Sequence, residues 1–406
     1  MFTAKIRHYL AGLMLAVSTM TSVASVDARR DFEGNLNRLL SENGLPGAVV
    51  HIRHHNKLVL HRAFGLVNLD RPEVLEVDDI FRIFSMTKPL TAVALLQLVD
   101  RGLVTLDADI RSYLPDFEVF EFNGKQQVIT VHQLLTHTAG FGYGGGLKNW
   151  VDIRYLLANP LSRDNTLAEL VDDVSGIDLK FAPGSKFEYS IASDIQGAII
   201  EAVTHQPLDQ YLRENVFAPL NMVDTGFFVP RGERHRLVDM YEFAARTFEQ
   251  AYVFDRDKIE FVEYGNSSEY LRKPTLLSGG GGLVSTAQDY ANFVQMLLND
   301  GEFNGNQVLS PSLTRTMLSS HTRGLDTHFL PRVYDGVGFG YGVGVKEIRG
   351  ETRSQGTFFW GGMGGTVFWA DPAEELQVVV MFQVEDGWIA MEKWMIPQIY
   401  KLIDQL

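Results

Sequence analysis

Ser85 and Lys88 stand three residues apart in the stretch FSMTKPL, residues 84–90, immediately ahead of the apolar run TAVALLQLV. If a helix begins at or just after Ser85, residues at this spacing share one face, and the Lys88 amine can approach the Ser85 hydroxyl. A lysine held against an apolar wall loses some of its preference for the charged form. It can then accept the proton that a serine must lose to become a nucleophile. The helix N-terminus adds backbone N–H donors and the positive end of a dipole. The plainer alternative makes Ser85 an N-cap and Lys88 a snorkelling surface residue.

Two further stretches carry candidate chemistry. In FEYSIASDIQG, Tyr189 leads into a helix, and its phenol can relay a proton if a nearby ammonium such as Lys88 lowers its pKa from about 10; otherwise its ring simply packs at a helix start. In FFWGGMGGTVFWADP, residues 358–372, four glycines interrupt strand character. Glycines in a strand let another backbone come close, and an N–H just after them can face a developing oxyanion; as a plainer alternative they mark bulges.

Other polar residues are weaker candidates. His51, His54, His55 and His61 cluster, but in a strand positions 51 and 54 face opposite sides, and no carboxylate or cysteine completes a ligand set. Neither a metal nor a cofactor is expected. His137 in LTHTAG has the residue type of a triad base, and Ser190 and Asp194 can touch substrate or cap a helix. The chain contains no G-x-S-x-G, so a nucleophile elbow on an α/β-hydrolase sheet is not supported.

The elements that must position these groups follow from the hydrophobic pattern. Phe32, Leu36, Leu39 and Leu40 recur at helical spacing, and GAVVHIRH and LVLHRAFG around Asn56-Lys57 read as a β-hairpin. YGVGVKEI, GTVFWAD and LQVVVMFQ return to strand character near the end, before a last helix. PLTAVALLQLVDRG, TVHQLLTH, ASDIQGAIIEAVTH and TAQDYANFVQMLLND are helical. Strands from both ends most simply share one antiparallel sheet. The expected layout is an α/β domain of residues 31–84 and 305–406, a mostly helical domain of residues 85–304, and the cleft between them.

The composition narrows the class. With 406 residues, 45% of them hydrophobic, the chain can bury a substantial core in one or two domains. Its formal charge of −14 repels phosphate backbones and anionic headgroups, so nucleic acid is not an expected partner. Lys5, Arg7 and His8 precede the apolar YLAGLMLAV and then small residues, the order of a secretory signal peptide cleaved near residues 24–28. A periplasmic or secreted location with no stable membrane anchor after cleavage is expected. Cysteine is absent from the chain, which removes disulfides and thiolate chemistry.

Taken together and in this order, the three motifs resemble the serine β-lactamase and penicillin-binding-protein superfamily, most closely its class C-like branch that includes family VIII carboxylesterases. The stretches RGLVTLDADIRSYLPDF, LLTHTAGFGYG, FAPGSKFEYS, PLNMVDTGFFV, LSGGGGLVSTAQDYANFVQMLLNDG and GFGYGVGV look like its connecting blocks, so the resemblance covers nearly all of the mature chain. It implies an α+β, β-lactamase/DD-peptidase-like fold and an acyl-enzyme mechanism. Ser85 matches the nucleophile, Lys88 the lysine of the first motif and Tyr189 the tyrosine of the second; which of the last two is the principal base stays open. His137 matches a structural histidine. Trp360, Gly361 and Gly362 align with the third motif as substrate-binding residues, which places the N–H groups of Ser85 and Met363 as the oxyanion hole.

Two departures bear on substrate. The second motif reads Tyr189-Ser190-Ile191 where β-lactamases usually end in Asn, and the third begins with Trp360 where they usually have Lys. Both changes resemble the esterase members. The expectation is an exported carboxylesterase acting on small-molecule, short-chain esters, with weak or no β-lactamase activity. The alternatives are amide hydrolysis, by a β-lactamase or D-amino-acid peptidase, and a penicillin-binding receptor that acylates without turnover.

Overall fold

Strands from the two ends of the chain meet in one antiparallel sheet. In the computed structural model, which describes residues 26–143, 149–243, 259–325, 336–385 and 387–406, seven strands lie in the order Val337–Phe339, Gly344–Lys346, Phe358–Gly361, Val367–Asp371, Leu376–Phe382, Ala48–His54, Lys57–Phe64. The first described strand, Ala48–His54, therefore pairs with Leu376–Phe382, Val50 opposite Val380. The N-terminal hairpin turns at His55 and Asn56, with φ of 48° and 59°. That left-handed pair gives the twist a two-residue hairpin needs. The turn thus falls one residue earlier than the pattern suggests, and Lys57 already begins the second strand.

Side chains alternate across the sheet, so each face needs its own cover. On one face the helix Ala287–Leu298 packs over Leu376–Phe382 and Ala48–His54, and Gln377 donates to the Ala291 carbonyl at 2.6 Å. This helix falls in the stretch assigned from sequence to the helical domain, yet it belongs to the sheet's own layers. On the other face lie helix 26–42 and the C-terminal helix Trp388–Ile403. They meet through Phe32 and Trp394, and Tyr400 donates to Asp371 at 2.6 Å. Residues 1–25, most of the stretch expected from sequence to be a signal peptide, lie outside the described residues; Ala28, in helix 26–42, is buried. Among the described residues no helix is long and apolar enough to cross a membrane.

The helix Thr87–Asp100 is buried from Thr87 through Leu98, as expected of a helix that is apolar all round. It packs against Ala192–Thr204, and just ahead of it Phe81–Arg82 pairs with Val284–Ser285. The two motif-bearing segments and the SGGGG loop before Val284 thus converge where the sheet meets the helices.

Candidate active site

Ser85 sits in a short 3-10 turn, Phe84–Met86, between a strand and the buried helix. Several backbone bonds hold this turn. Ile83 N donates to Leu283 O at 3.0 Å, and the Tyr290 hydroxyl donates to Met86 O at 2.8 Å. Phe84 lies at φ of 41°, a left-handed conformation that a non-glycine residue adopts only when its surroundings enforce it. The helix carries no side-chain cap at its N-terminus, so Ser85 is not an N-cap.

Lys88 is fully buried, which removes the snorkelling alternative. Its Nζ donates to the Gly280 carbonyl at 2.5 Å, to Ser85 Oγ at 3.3 Å and to the Tyr143 hydroxyl at 3.4 Å, and it stands 4.5 Å from the centre of the Tyr189 ring. Burial alone would lower its pKa. The hydroxyls of Tyr143 and Tyr189 and the Asp194 carboxylate outweigh burial and hold it above the usual lysine value. This direction runs against the neutral lysine base expected from the apolar run and favours the ammonium form of Lys88.

Gly280 reaches Lys88 because it has no side chain, since a methyl there would lie 2.5 Å from Asp194 Oδ2. Asp194, fully buried in the first turn of Ala192–Thr204, accepts from Ser278 Oγ at 2.5 Å and from Gly280 N at 3.1 Å. Burial raises its own pKa, against the pull of Ser278 and Lys88. Tyr143 is raised to about 12, mainly by burial and despite Lys88, so it keeps its proton at neutral pH. Its ring stacks on Tyr189 at 5.7 Å.

The third motif arrives from the sheet. Phe358–Gly361 ends beside the 84–86 turn, and the chain then reverses, with Gly362 N donating to Thr366 O at 2.8 Å. A methyl on Gly362 would lie 2.3 Å from Ile83 O, so only glycine permits this approach. Met363 stands at the tip and is exposed. Trp360 is only 7% exposed; its ring packs on Tyr189 at 5.6 Å and Phe339 at 5.1 Å, so it backs the tyrosine and offers little surface to a ligand.

Ser85, Lys88, Tyr189, Trp360, Gly361, Gly362 and Met363 are thus gathered at one place, around a hydroxyl with an ammonium in hydrogen-bond reach. Residues 24–394 match the family described as Beta-lactamase. The chain belongs to the beta-lactamase family. It is a serine hydrolase with the β-lactamase-like α+β fold. Among curated relatives it is 30% identical to "Esterase EstB" of Burkholderia gladioli, over 88% of this chain and 90% of that one. It is 27% identical to "Monacolin J acid methylbutanoyltransferase" of Aspergillus terreus, over 91% and 94%. The solved structure of "EstCE1, a hydrolase with promiscuous acyltransferase activity" superposes with a TM-score of 0.76 at 24% identity, covering 94% of this chain and 99% of that one. That likeness is one of fold.

In this beta-lactamase-family chain the remaining polar candidates are accounted for differently. His137 Nδ1 accepts from Ser190 N at 3.2 Å, and burial together with Lys88 pushes its pKa well below the usual value. It is a neutral, buried acceptor that fixes the entry to the Ala192 helix. Ser190 is buried against it, and Ile191 is buried with its N–H on Gly142 O. The four N-terminal histidines form two separate pairs: His51 and His61 face each other across strands at 3.3 Å, and His54 and His55 lie ring to ring. Among the described residues no group of three or more His, Cys, Asp or Glu could hold a metal ion. Sequence analysis missed Tyr143 and the Gly280 carbonyl; both lie in stretches that carried the family likeness, HTAGFGYG and LSGGGG.

Proposed function

We propose that the chain is a carboxylesterase that forms an acyl ester on Ser85 and releases it to water. The observation that carries this reading is the buried Lys88 ammonium 3.3 Å from the Ser85 hydroxyl and over the Tyr189 ring. Ser85 Oγ attacks the ester carbonyl carbon while Tyr189, with the Lys88 ammonium beside it, takes its proton. The carbonyl oxygen becomes an oxyanion held by the N–H groups of Ser85 and Met363. Collapse breaks the carbon–oxygen bond, and the alcohol leaves with the proton from Tyr189. Water then attacks the acyl ester with Tyr189 again as base.

Esters are favoured over β-lactams because Ile191 presents no amide to a substrate side chain and Trp360 supplies no cation for a β-lactam carboxylate. The relative named Esterase EstB agrees with this choice. The substrates are small, short-chain esters of uncharged groups. Export through the N-terminal segment places the enzyme in the periplasm or outside the cell.

Wild type and Ser85→Ala are to be assayed on a short-chain p-nitrophenyl ester and a chromogenic cephalosporin. Sustained, Ser85-dependent ester turnover with little cephalosporin hydrolysis is expected. Fast cephalosporin hydrolysis overturns the weight placed on Trp360 and Ile191, and a single stoichiometric burst moves the protein to a receptor role.

A further inference from the structure

Gln383 follows the strand Leu376–Phe382 and is buried, and its side-chain amide spans two segments of the site. Its Oε1 accepts from Arg82 N at 2.8 Å. Its Nε2 donates to Gly364 O at 3.1 Å, with Arg82 O at 3.5 Å. Arg82 lies three residues before Ser85 and Gly364 one residue after Met363. A backbone N–H only donates and a carbonyl only accepts, so the amide has a single satisfying orientation.

Among the described residues this is a direct polar link between the two sides that carry the Ser85 and Met363 N–H groups; a second, from Thr366 Oγ1 to Ile83 O, is 3.4 Å long. The space is filled: a methyl on Gly364 would fall 2.4 Å from Gln383 Nε2 and 2.6 Å from the Phe84 ring. Phe84 is the residue held at positive φ beside Ser85.

We propose that Gln383 is a positioning residue that sets the separation of the Ser85 and Met363 N–H groups, and with it the geometry of the oxyanion site. The proposal rests on the acyl-Ser85 reading above. Donors stabilise a developing oxyanion only within about 2.7–3.1 Å of it, so a small shift between the two segments lowers the rate without changing what the site binds. No proton or group passes through Gln383.

Two variants test this. Gln383→Met removes both bonds at similar volume. Gln383→Glu keeps an acceptor for Arg82 N but sets a carboxylate oxygen against the Gly364 carbonyl, a clash relieved when the carboxyl is protonated and can donate. Both are assayed on p-nitrophenyl acetate and on its thionoester, in which sulfur, a larger and weaker acceptor, replaces the carbonyl oxygen.

The expected result for Gln383→Met is a fall in ester kcat of roughly 10-fold or more, KM within about twofold of wild type, and a smaller ester-to-thionoester preference. For Gln383→Glu, activity relative to wild type rises as pH is lowered. An unchanged ester-to-thionoester preference in Gln383→Met overturns the proposal. If that variant does not fold, a pH-independent activity ratio in Gln383→Glu overturns it instead. Persistent turnover by Ser85→Ala removes the acyl-Ser85 reading and this proposal together. Ser85-dependent turnover with both Gln383 variants at wild-type rates removes the positioning role alone.

Discussion

The Gly280 carbonyl oxygen takes the shortest hydrogen bond of the Lys88 ammonium, 2.5 Å, while the Gly280 N–H is held by Asp194 at 3.1 Å. Asp194 therefore acts on Lys88 both through the loop and through its charge. Asp194→Asn keeps an acceptor for Ser278 and Gly280 but removes a charge that, after Tyr143 and Tyr189, helps raise the Lys88 pKa. With the ammonium as the working form, the alkaline limb of kcat/KM shifts to lower pH. A rate–pH profile checks this, and an unmoved alkaline limb contradicts it.

The three groups around Ser85 differ in what they can do with a proton. Lys88→Ala and Tyr189→Phe each cost on the order of 10² to 10⁴ in kcat/KM. Tyr143, with its pKa pushed up to about 12 by burial, keeps its proton and serves only as a neighbour of Lys88. Tyr143→Phe is expected to cost about 10-fold or less, the scale of one modest hydrogen bond. Steady-state kinetics on one ester ranks the three, and a Tyr143→Phe loss equal to that of Tyr189→Phe transfers the base role to Tyr143.

Acid sensitivity follows from two buried histidines. Burial, with smaller contributions from His61 and Arg53, lowers the His51 pKa to about 3. Burial and Lys88 lower that of His137 well below its usual value. The unfolded chain takes up both protons below about pH 6.5, so stability present above that pH is lost as pH falls, by about 1.4 kcal/mol per pH unit for each histidine. In urea unfolding between pH 6.5 and 4.5, His51→Leu is expected to remove one such share of the slope; an unchanged slope assigns the acid loss elsewhere.

If the N-terminal segment is cleaved after export as proposed, the first described helix favours some cleavage positions over others. Ala28 lies in helix 26–42 and is 6% exposed, so a cut after it removes the first turn and a buried contact. Cleavage after Ala24 or Ser25 leaves the helix whole. Sequencing the N-terminus of exported protein is expected to find residue 25 or 26 first, and a start at Arg29 contradicts the assignment.

The parts of the site legible in the sequence were those whose partners are close along the chain. Ser85 and Lys88 declare themselves by spacing, and the Gly361-Gly362 pair by its interruption of a strand. The Lys88 to Gly280 bond closes over 192 residues and the Arg82 to Gln383 bond over 301, so no local pattern exposes either. The groups that act on Lys88 are hidden for the same reason, since desolvation is visible in an apolar run while Tyr143, Tyr189 and Asp194 arrive from elsewhere. Most sheet strands were readable from alternation and β-branched content. Val337–Phe339, three residues in a glycine-rich stretch, was not.

Because Ala48–His54 pairs directly with Leu376–Phe382, the sheet cannot close until residue 382 has left the ribosome. Contacts of such long sequence separation form late and slowly. Gln383 and the 361–366 turn lie in that last-made portion, so a nascent or truncated chain that already displays Ser85 and Lys88 lacks the second wall of the pocket. Termination before residue 361 is expected to yield a fragment without the sheet's central pairing and without the second wall of the site.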